Sequence, residues 1–148
     1  MENLSTKFKQ DLSNELNKSE DWANDEVFLQ LFGSSMLIFS LDRLNVYMKK
    51  IISVYENTID KHSFVAQRRI AGICINYLNR SYKENDYTYL NETLQLIKAL
   101  SENPDLLMYK ILGLYFDSLF KKDKSLQESI LSMLTQAGYG DFIQNLPK

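Results

Sequence analysis

The chain has 148 residues, of which 45% are apolar and 24% charged, with five Gly, two Pro and a formal charge of −2 at neutral pH. A length of this order suits one domain with a sizeable core, and so few loop formers favour helices. The charge balance excludes a domain-wide phosphate-binding surface, while the single cysteine, Cys74, excludes an internal disulfide and suits a reducing cytoplasm.

The N-terminus, MENLSTKFKQDL, lacks the basic-then-apolar order of a signal peptide. Leu4, Phe8, Leu12 and Leu16 fall four apart among polar residues and predict a leading amphipathic helix over 3–17. A second helix is expected from Asn24 or Asp25 to Phe39. Its apolar run is interrupted by Gly33-Ser34-Ser35 and falls short of the about 18 residues that a membrane span needs. Ser40 is placed to cap a third over 41–60, with Leu44, Tyr47, Met48, Ile51, Ile52 and Tyr55 inward. A fourth is expected over 63–84, and Asp86 is placed to cap a fifth over 87–101. Asn103-Pro104-Asp105 marks the start of a sixth, with a cap, a proline in the first turn and an acid facing the positive end of the dipole. Ser125-x-x-Glu128 has the form of a capping box for a seventh that stops at Gly138. A short eighth is expected from Tyr139 to Leu146. With no Asn-Gly or Asp-Gly hairpin signal and no sustained alternation of period two, the chain reads as all-α.

Gly33, Gly72 and Gly113 lie 39 and 41 residues apart, each inside an expected helix. The segments around them, LQLFGSSM, RRIAGICI and YKILGLYF, share an apolar or small residue before the glycine and an apolar residue three after it. Tyr109-x-x-Leu112-Gly113-x-x-Phe116 is close to a tetratricopeptide pattern, and a period near 40 holding two helices marks a helical-repeat array. The expected fold is therefore tetratricopeptide-like stacked helical hairpins in a right-handed α-superhelix of about seven to eight helices. Residues 1–148 would form a single helical-repeat domain, with a leading helix in 1–20, hairpins in 21–61, 62–102 and 103–138, and a C-terminal helix or tail in 139–148. Glycine inside a helix costs about 1 kcal/mol against Ala. All three are thus expected at helix–helix contacts, against the second helix of their own hairpin.

Little of the chemistry points to catalysis. His62, the one histidine, sits at a loop-to-helix boundary without a partner motif and suits a surface or capping role. Cys74 lies on the apolar stripe Ala66–Ile70–Ile73–Cys74–Tyr77, where packing is the expected role. Ser34-Ser35 lacks the G-x-S-x-G context of a nucleophile elbow, and neither a phosphate-binding G-x-x-x-x-G-K-[ST] loop nor a C-x-x-C pair occurs. No catalytic residue, metal ligand or cofactor is assigned, and the chain is not expected to be an enzyme.

A polar stripe is more informative. Arg69, Gly72, Asn76, Asn79 and Lys83 share one face of the 63–84 helix, away from the apolar one. Lys110-x-x-Gly113-x-x-x-Asp117 repeats the spacing of Arg69-x-x-Gly72-x-x-x-Asn76. In stacked hairpins the first helices line the concave surface. Arg69, Asn76, Asn79, Lys110 and Asp117 are therefore candidates to hold the backbone and charged ends of an extended peptide, with Tyr77, Tyr109 and Tyr115 candidates for its floor. The plainer alternative is a solvated face. At the C-terminal end, Leu126, Ile130, Met133, Leu134, Phe142, Ile143 and Leu146 give more apolar surface than a last repeat needs. They predict either a homodimer contact or a short last helix folded back over them.

Trp22, the run LQLFGSSMLIF, the segment from Arg69 to Leu78-Asn79, the block LMYKILGLYFDSLFKKDK and the closing AGYGDFIQNL resemble the C-terminal domain of the Rgg/GadR/MutR transcriptional regulators. The resemblance spans Asp21 to Leu146. It implies a cytoplasmic, tetratricopeptide-like domain that binds a short hydrophobic signalling peptide on its concave face, as in quorum sensing, and dimerises through its C-terminal part. It also implies contact with DNA only through a helix-turn-helix module, which this sequence does not contain, and no membrane association. The alternative expectation is a non-enzymatic helical-repeat scaffold for another protein.

Overall fold

The computed structural model describes residues 22–148 and, ahead of them, Thr6, Lys7, Gln10, Asp11 and Asn14, which are helical and exposed. The rest of the leading helix expected over 3–17 lies outside the described residues. Among the described residues all regular structure is helical: seven α-helices joined by 3-10 turns and short loops.

α1 (Glu26–Ser35) starts where Asp25 Oδ1 accepts the backbone N–H of Val27 at 2.8 Å and of Phe28 at 3.4 Å. It ends four residues earlier than expected. Gly33, Ser34 and Ser35 are weak helix formers, and the chain tightens into a 3-10 turn over Met36–Ile38 before Phe39 goes extended (φ −97°, ψ 148°). That early stop swings Phe39 inward. Its ring stacks on Phe32 at 6.4 Å and meets the edge of Tyr47 at 5.4 Å, and Trp22 closes the group on Phe32 and Tyr47 at 5.8 Å each. The Tyr55 hydroxyl donates to the Ala23 carbonyl at 2.6 Å and pins the Trp22 segment to the second helix.

α2 (Leu41–Tyr55) is capped by Ser40, whose Oγ accepts Arg43 N–H at 3.2 Å. Its six expected inward residues are all buried, each large apolar one contributing roughly 1.5–3 kcal/mol. It ends at Tyr55, and the stretch expected to prolong it to residue 60 forms a separate turn, Ile59–Lys61. α3 (Phe64–Glu84), capped by Ser63, is the long central helix and buries the Ala66–Ile70–Ile73–Cys74–Tyr77 stripe. Burial pushes the Cys74 thiol up to about 12, so it stays protonated and packs as a small apolar group. His62 is half-buried between Tyr55, whose ring lies 4.7 Å away, and Thr58 Oγ1, 3.2 Å from its Nε2.

α4 (Leu90–Lys98) is shorter than its expected span of 87–101. Asp86 does not cap it. Its Oδ1 accepts Thr88 N–H at 2.8 Å and forms a turn through Tyr89. α5 (Leu107–Lys121) follows the Asn103-Pro104-Asp105 start signal, with Asn103 Oδ1 accepting Asp105 N–H at 2.9 Å. α6 (Lys124–Gln136) is capped by Asp123, which accepts Leu126 N–H at 3.1 Å, and not by the expected Ser125 box. The aspartate two residues earlier offers a carboxylate to the free N–H groups, a better acceptor than a hydroxyl. Gly138 closes α6 at φ +97°, a conformation that suits glycine. α7 (Gly140–Ile143) is a single turn, shorter than the expected 139–146.

α1 packs on α3 and α3 on α5, forming one row. α4 rests on both α3 and α5, α2 on α3 and α4, α6 on α5, and α7 on α6. This is stacked helical packing, and one apolar cluster runs through it from Trp22 to Leu134.

The glycine register has a different outcome from the one expected. A Cβ on Gly33 would meet Ile73 Cγ1 of α3 at 3.3 Å, and one on Gly113 would meet Ile97 Cγ2 of α4 at 2.8 Å. Both contacts lie between consecutive hairpins, not inside one. Gly72 has nothing within 4 Å of that position. The expected helix contact at Gly72 is therefore absent, and its backbone faces open space.

Candidate functional site

The open face at Gly72 is one wall of a shallow groove of about 190 Å³, lined by Gln30 and Gly33 of α1, Arg69, Gly72 and Asn76 of α3, and Tyr109 of α5. The seam between α1 and α3 forms because Gly33 admits Ile73, drawing the two helices together beneath the groove.

Arg69 is not a free anchor. Its Nη1 donates to the Glu26 carbonyl and its Nη2 to Gln30 Oε1 at 3.1 Å. The Glu26 carboxylate in turn accepts the Ser63 hydroxyl at 2.7 Å. The fork that suggested a ligand contact gives two of its five N–H groups to tying α1 to α3, so Arg69 positions the groove wall. Arg69→Ala is expected to lower stability by about 1–2 kcal/mol in urea denaturation, since two bonds from a charged donor are lost at a partly exposed site. Arg69→Lys should restore less than half of that, because one ammonium cannot bridge both acceptors. Full recovery by lysine would mean that only the charge matters.

Asn76 is exposed in the groove with its amide available, whereas Asn79 is half-buried and outside it. Lys110 and Asp117 do not join them. They line a second groove of about 440 Å³, between α4 and α5, together with Leu94, Ile97, Leu114 and Lys121. There Lys110 Nζ donates to the Lys98 carbonyl at 3.3 Å, capping the end of α4, and Asp117 pairs with Lys121 at 3.0 Å. The five residues expected on one surface are thus divided between two grooves, with Asn79 in neither. The reason is Gly113. Its approach to Ile97 turns this face of α5 against α4, while the matching face of α3 stays open.

Of the three tyrosines expected as groove floor, only Tyr109 lines it. Tyr77 and Tyr115 are core residues. Burial pushes the Tyr77 hydroxyl up to about 12 and it donates to Asn45 Oδ1, while Tyr115 donates to the Pro147 carbonyl at 2.6 Å. Arg80 was not singled out from the sequence. It donates from Nη2 to the Phe39 carbonyl at 3.1 Å and pairs through Nε with Glu84 at 2.8 Å. No pattern pointed to it, because the carbonyl it satisfies is left over only when α1 stops early.

At the C-terminal end, Ile130 and Leu134 are buried in the core and Leu126 and Ile143 are half-buried. Ile130 and Leu134 are covered because α6 turns that face onto α5, and α7 folds back on α6. Met133 and Phe142 stay exposed, at 50% and 39%, and Phe142 meets the exposed ring of Tyr139 at 6.3 Å.

Among the described residues no three of His, Cys, Asp and Glu gather closely enough to hold a metal ion, and no helix is long and apolar enough to cross a membrane. The family model for the C-terminal domain of the HTH-type transcriptional regulator Rgg matches residues 2–140. No curated protein and no solved structure matches the chain.

Proposed function

The chain belongs to the family of C-terminal domains of the HTH-type transcriptional regulator Rgg, and from that premise we propose that it is the ligand-sensing and dimerisation domain of a cytoplasmic regulator. In this reading residues 1–148 act as one tetratricopeptide-like unit, and a short hydrophobic signalling peptide lies along the row of α1, α3 and α5. DNA contact belongs to a helix-turn-helix module outside this sequence.

The observation that supports the reading is the groove at Gly72. A glycine with open space at its Cβ position leaves the helix backbone open to close approach, and Asn76 one turn on can donate to and accept from an extended peptide backbone. Tyr109 supplies an aromatic surface at the same place. Dimerisation is assigned to the exposed Met133, Tyr139 and Phe142 rather than to the whole apolar set at that end.

Calorimetric titration of a synthetic hydrophobic peptide into wild type and Gly72→Leu tests the ligand site. The leucine fills open space, so the variant should fold as well as wild type while binding at least about tenfold more weakly, the loss of roughly 1.4 kcal/mol. Equal affinities would take the peptide out of this groove. Absence of binding to both would favour the other reading, a scaffold for a protein partner. For the dimer, sedimentation of Met133→Lys/Phe142→Lys should show monomer at concentrations where wild type is dimeric. A wild-type monomer at tens of micromolar would remove that assignment.

A further inference from the structure

α3 and α5 end side by side. Each closes on a non-glycine residue in the left-handed region, Asn85 (φ 54°) and Lys122 (φ 56°). Each end then bonds back on itself, Asp86 N–H to the Ser81 carbonyl at 2.9 Å and Asp123 N–H to the Ser118 carbonyl at 2.9 Å. These are the paired closures that satisfy the last carbonyls of a helix from its own backbone, so the lysines around them are not needed as caps.

A pocket of about 570 Å³ opens between the two ends, within the range of roughly 300–1,000 Å³ usual for small-molecule sites. Lys83, Lys122, Lys124 and Lys148 line it and no carboxylate side chain does. In a chain of net charge −2 the lining side chains concentrate one sign, offset in part by the backbone carboxylate of Lys148, the last residue of the sequence. Among the described residues the ammonium groups of Lys83, Lys122 and Lys124 meet no carboxylate, the ion pairs being Arg80–Glu84 and Asp117–Lys121. The floor is aromatic. Phe120 packs edge-to-face with Tyr82 at 5.5 Å and with Tyr87 at 5.3 Å, and Tyr87 remains 58% exposed. The third side is the chain's own tail. The Tyr115 hydroxyl donates to the Pro147 carbonyl at 2.6 Å and the Tyr82 hydroxyl to a backbone carboxylate oxygen of Lys148 at 3.1 Å.

We propose that this pocket binds a small phosphorylated ligand carrying a planar ring, the chemistry of a nucleotide. Unpaired lysines attract a phosphate as point charges, and an exposed tyrosine backed by a second ring presents a flat surface on which a base can stack. Either element alone would accept many ligands; together they select one that is both anionic and planar. The site is separate from the groove at Gly72 and does not depend on peptide binding there.

The test is calorimetric titration of the full chain at low salt with ADP, adenosine and inorganic phosphate, repeated on Lys83→Ala/Lys124→Ala and on Tyr87→Ala. Melting curves establish that the variants fold. Saturable ADP binding is expected below about 1 mM, at least about tenfold tighter than adenosine or phosphate. The double lysine variant should lose about tenfold, and Tyr87→Ala should bring ADP down to the level of phosphate alone, since stacking of one base is worth a factor of this size. No saturable binding at millimolar ADP would overturn the proposal. So would ADP binding no tighter than inorganic phosphate, or ADP affinities unchanged in folded variants.

Discussion

Phe32→Ala should destabilise the chain by about 3–5 kcal/mol, the usual loss when a fully buried aromatic ring is truncated and its cavity cannot collapse. Phe32 is 0% exposed and stands at the centre of the aromatic group, stacked between Trp22 and Phe39 with Tyr47 edge-on at 5.3 Å. Its neighbours come from the entry segment, the turn after α1, and α2, so no single side chain can move in to fill the space. A domain of this kind has about 5–15 kcal/mol in total, and the variant should keep only part of it. Urea denaturation followed through Trp22, the one tryptophan, reports directly on this region. Val27→Ala, at a site 70% exposed, is the control and should stay within about 0.5 kcal/mol of wild type. A loss below about 1 kcal/mol in Phe32→Ala would mean that the rings do not pack as described.

Gly113→Leu and Gly72→Leu are expected to differ in sign. At Gly113 even a Cβ would stand 2.8 Å from Ile97 Cγ2 and 3.5 Å from Ile97 Cβ. That methyl sits on a β-branched carbon with one strongly preferred rotamer in a helix, so it cannot swing aside cheaply. Overpacking of this kind costs about 1–3 kcal/mol or more, against about 1 kcal/mol gained by removing a helical glycine. A net loss of up to about 2 kcal/mol is therefore expected for leucine. At Gly72 no clash offsets the gain, and the variant should be more stable by roughly 0.5–1 kcal/mol. Gly113→Ala combined with Ile97→Ala should cost less than the two changes summed, because the cavity left by one receives the methyl of the other. Additive losses would show that the two residues do not touch, and equal effects at Gly72 and Gly113 would return the three glycines to a common role.

That contrast also marks how far local reading reaches. Capping and amphipathic spacing are properties of a few consecutive residues, and they were legible. Ser40 and Asn103 cap as their side chains dictate, and the inward faces of α2 and α3 are those the apolar periodicity gives. Family membership was legible too, through the resemblance carried by Trp22, LQLFGSSMLIF and LMYKILGLYFDSLFKKDK. Helix ends were less so. Asp123 displaces Ser125 as a cap, and α1 stops at Ser35 because Phe39 gains more by packing on Phe32 and Tyr47 than by continuing the helix.

The sequence by itself determined that the chain is helical, that its helices recur with a period near 40, and which face of each central helix is apolar. Those outcomes follow from hydrogen bonding and burial within one element. Which polar residues share a surface was decided only in three dimensions. Arg69-x-x-Gly72-x-x-x-Asn76 and Lys110-x-x-Gly113-x-x-x-Asp117 have identical spacing, yet one opens a groove and the other closes on α4. Spacing sets angles around a helix axis, but the rotation of the whole helix against its neighbours is set by contacts such as Gly113 on Ile97 and Gly33 on Ile73. The same holds at the C-terminal end. Ile130 and Leu134 read as spare apolar surface until α6 lies on α5, and the tail reads as polar chain until the hydroxyls of Tyr115 and Tyr82 hold its backbone oxygens. Partners so far apart in sequence leave no local pattern, because what joins them is the meeting of two surfaces that exist only once the helices have packed.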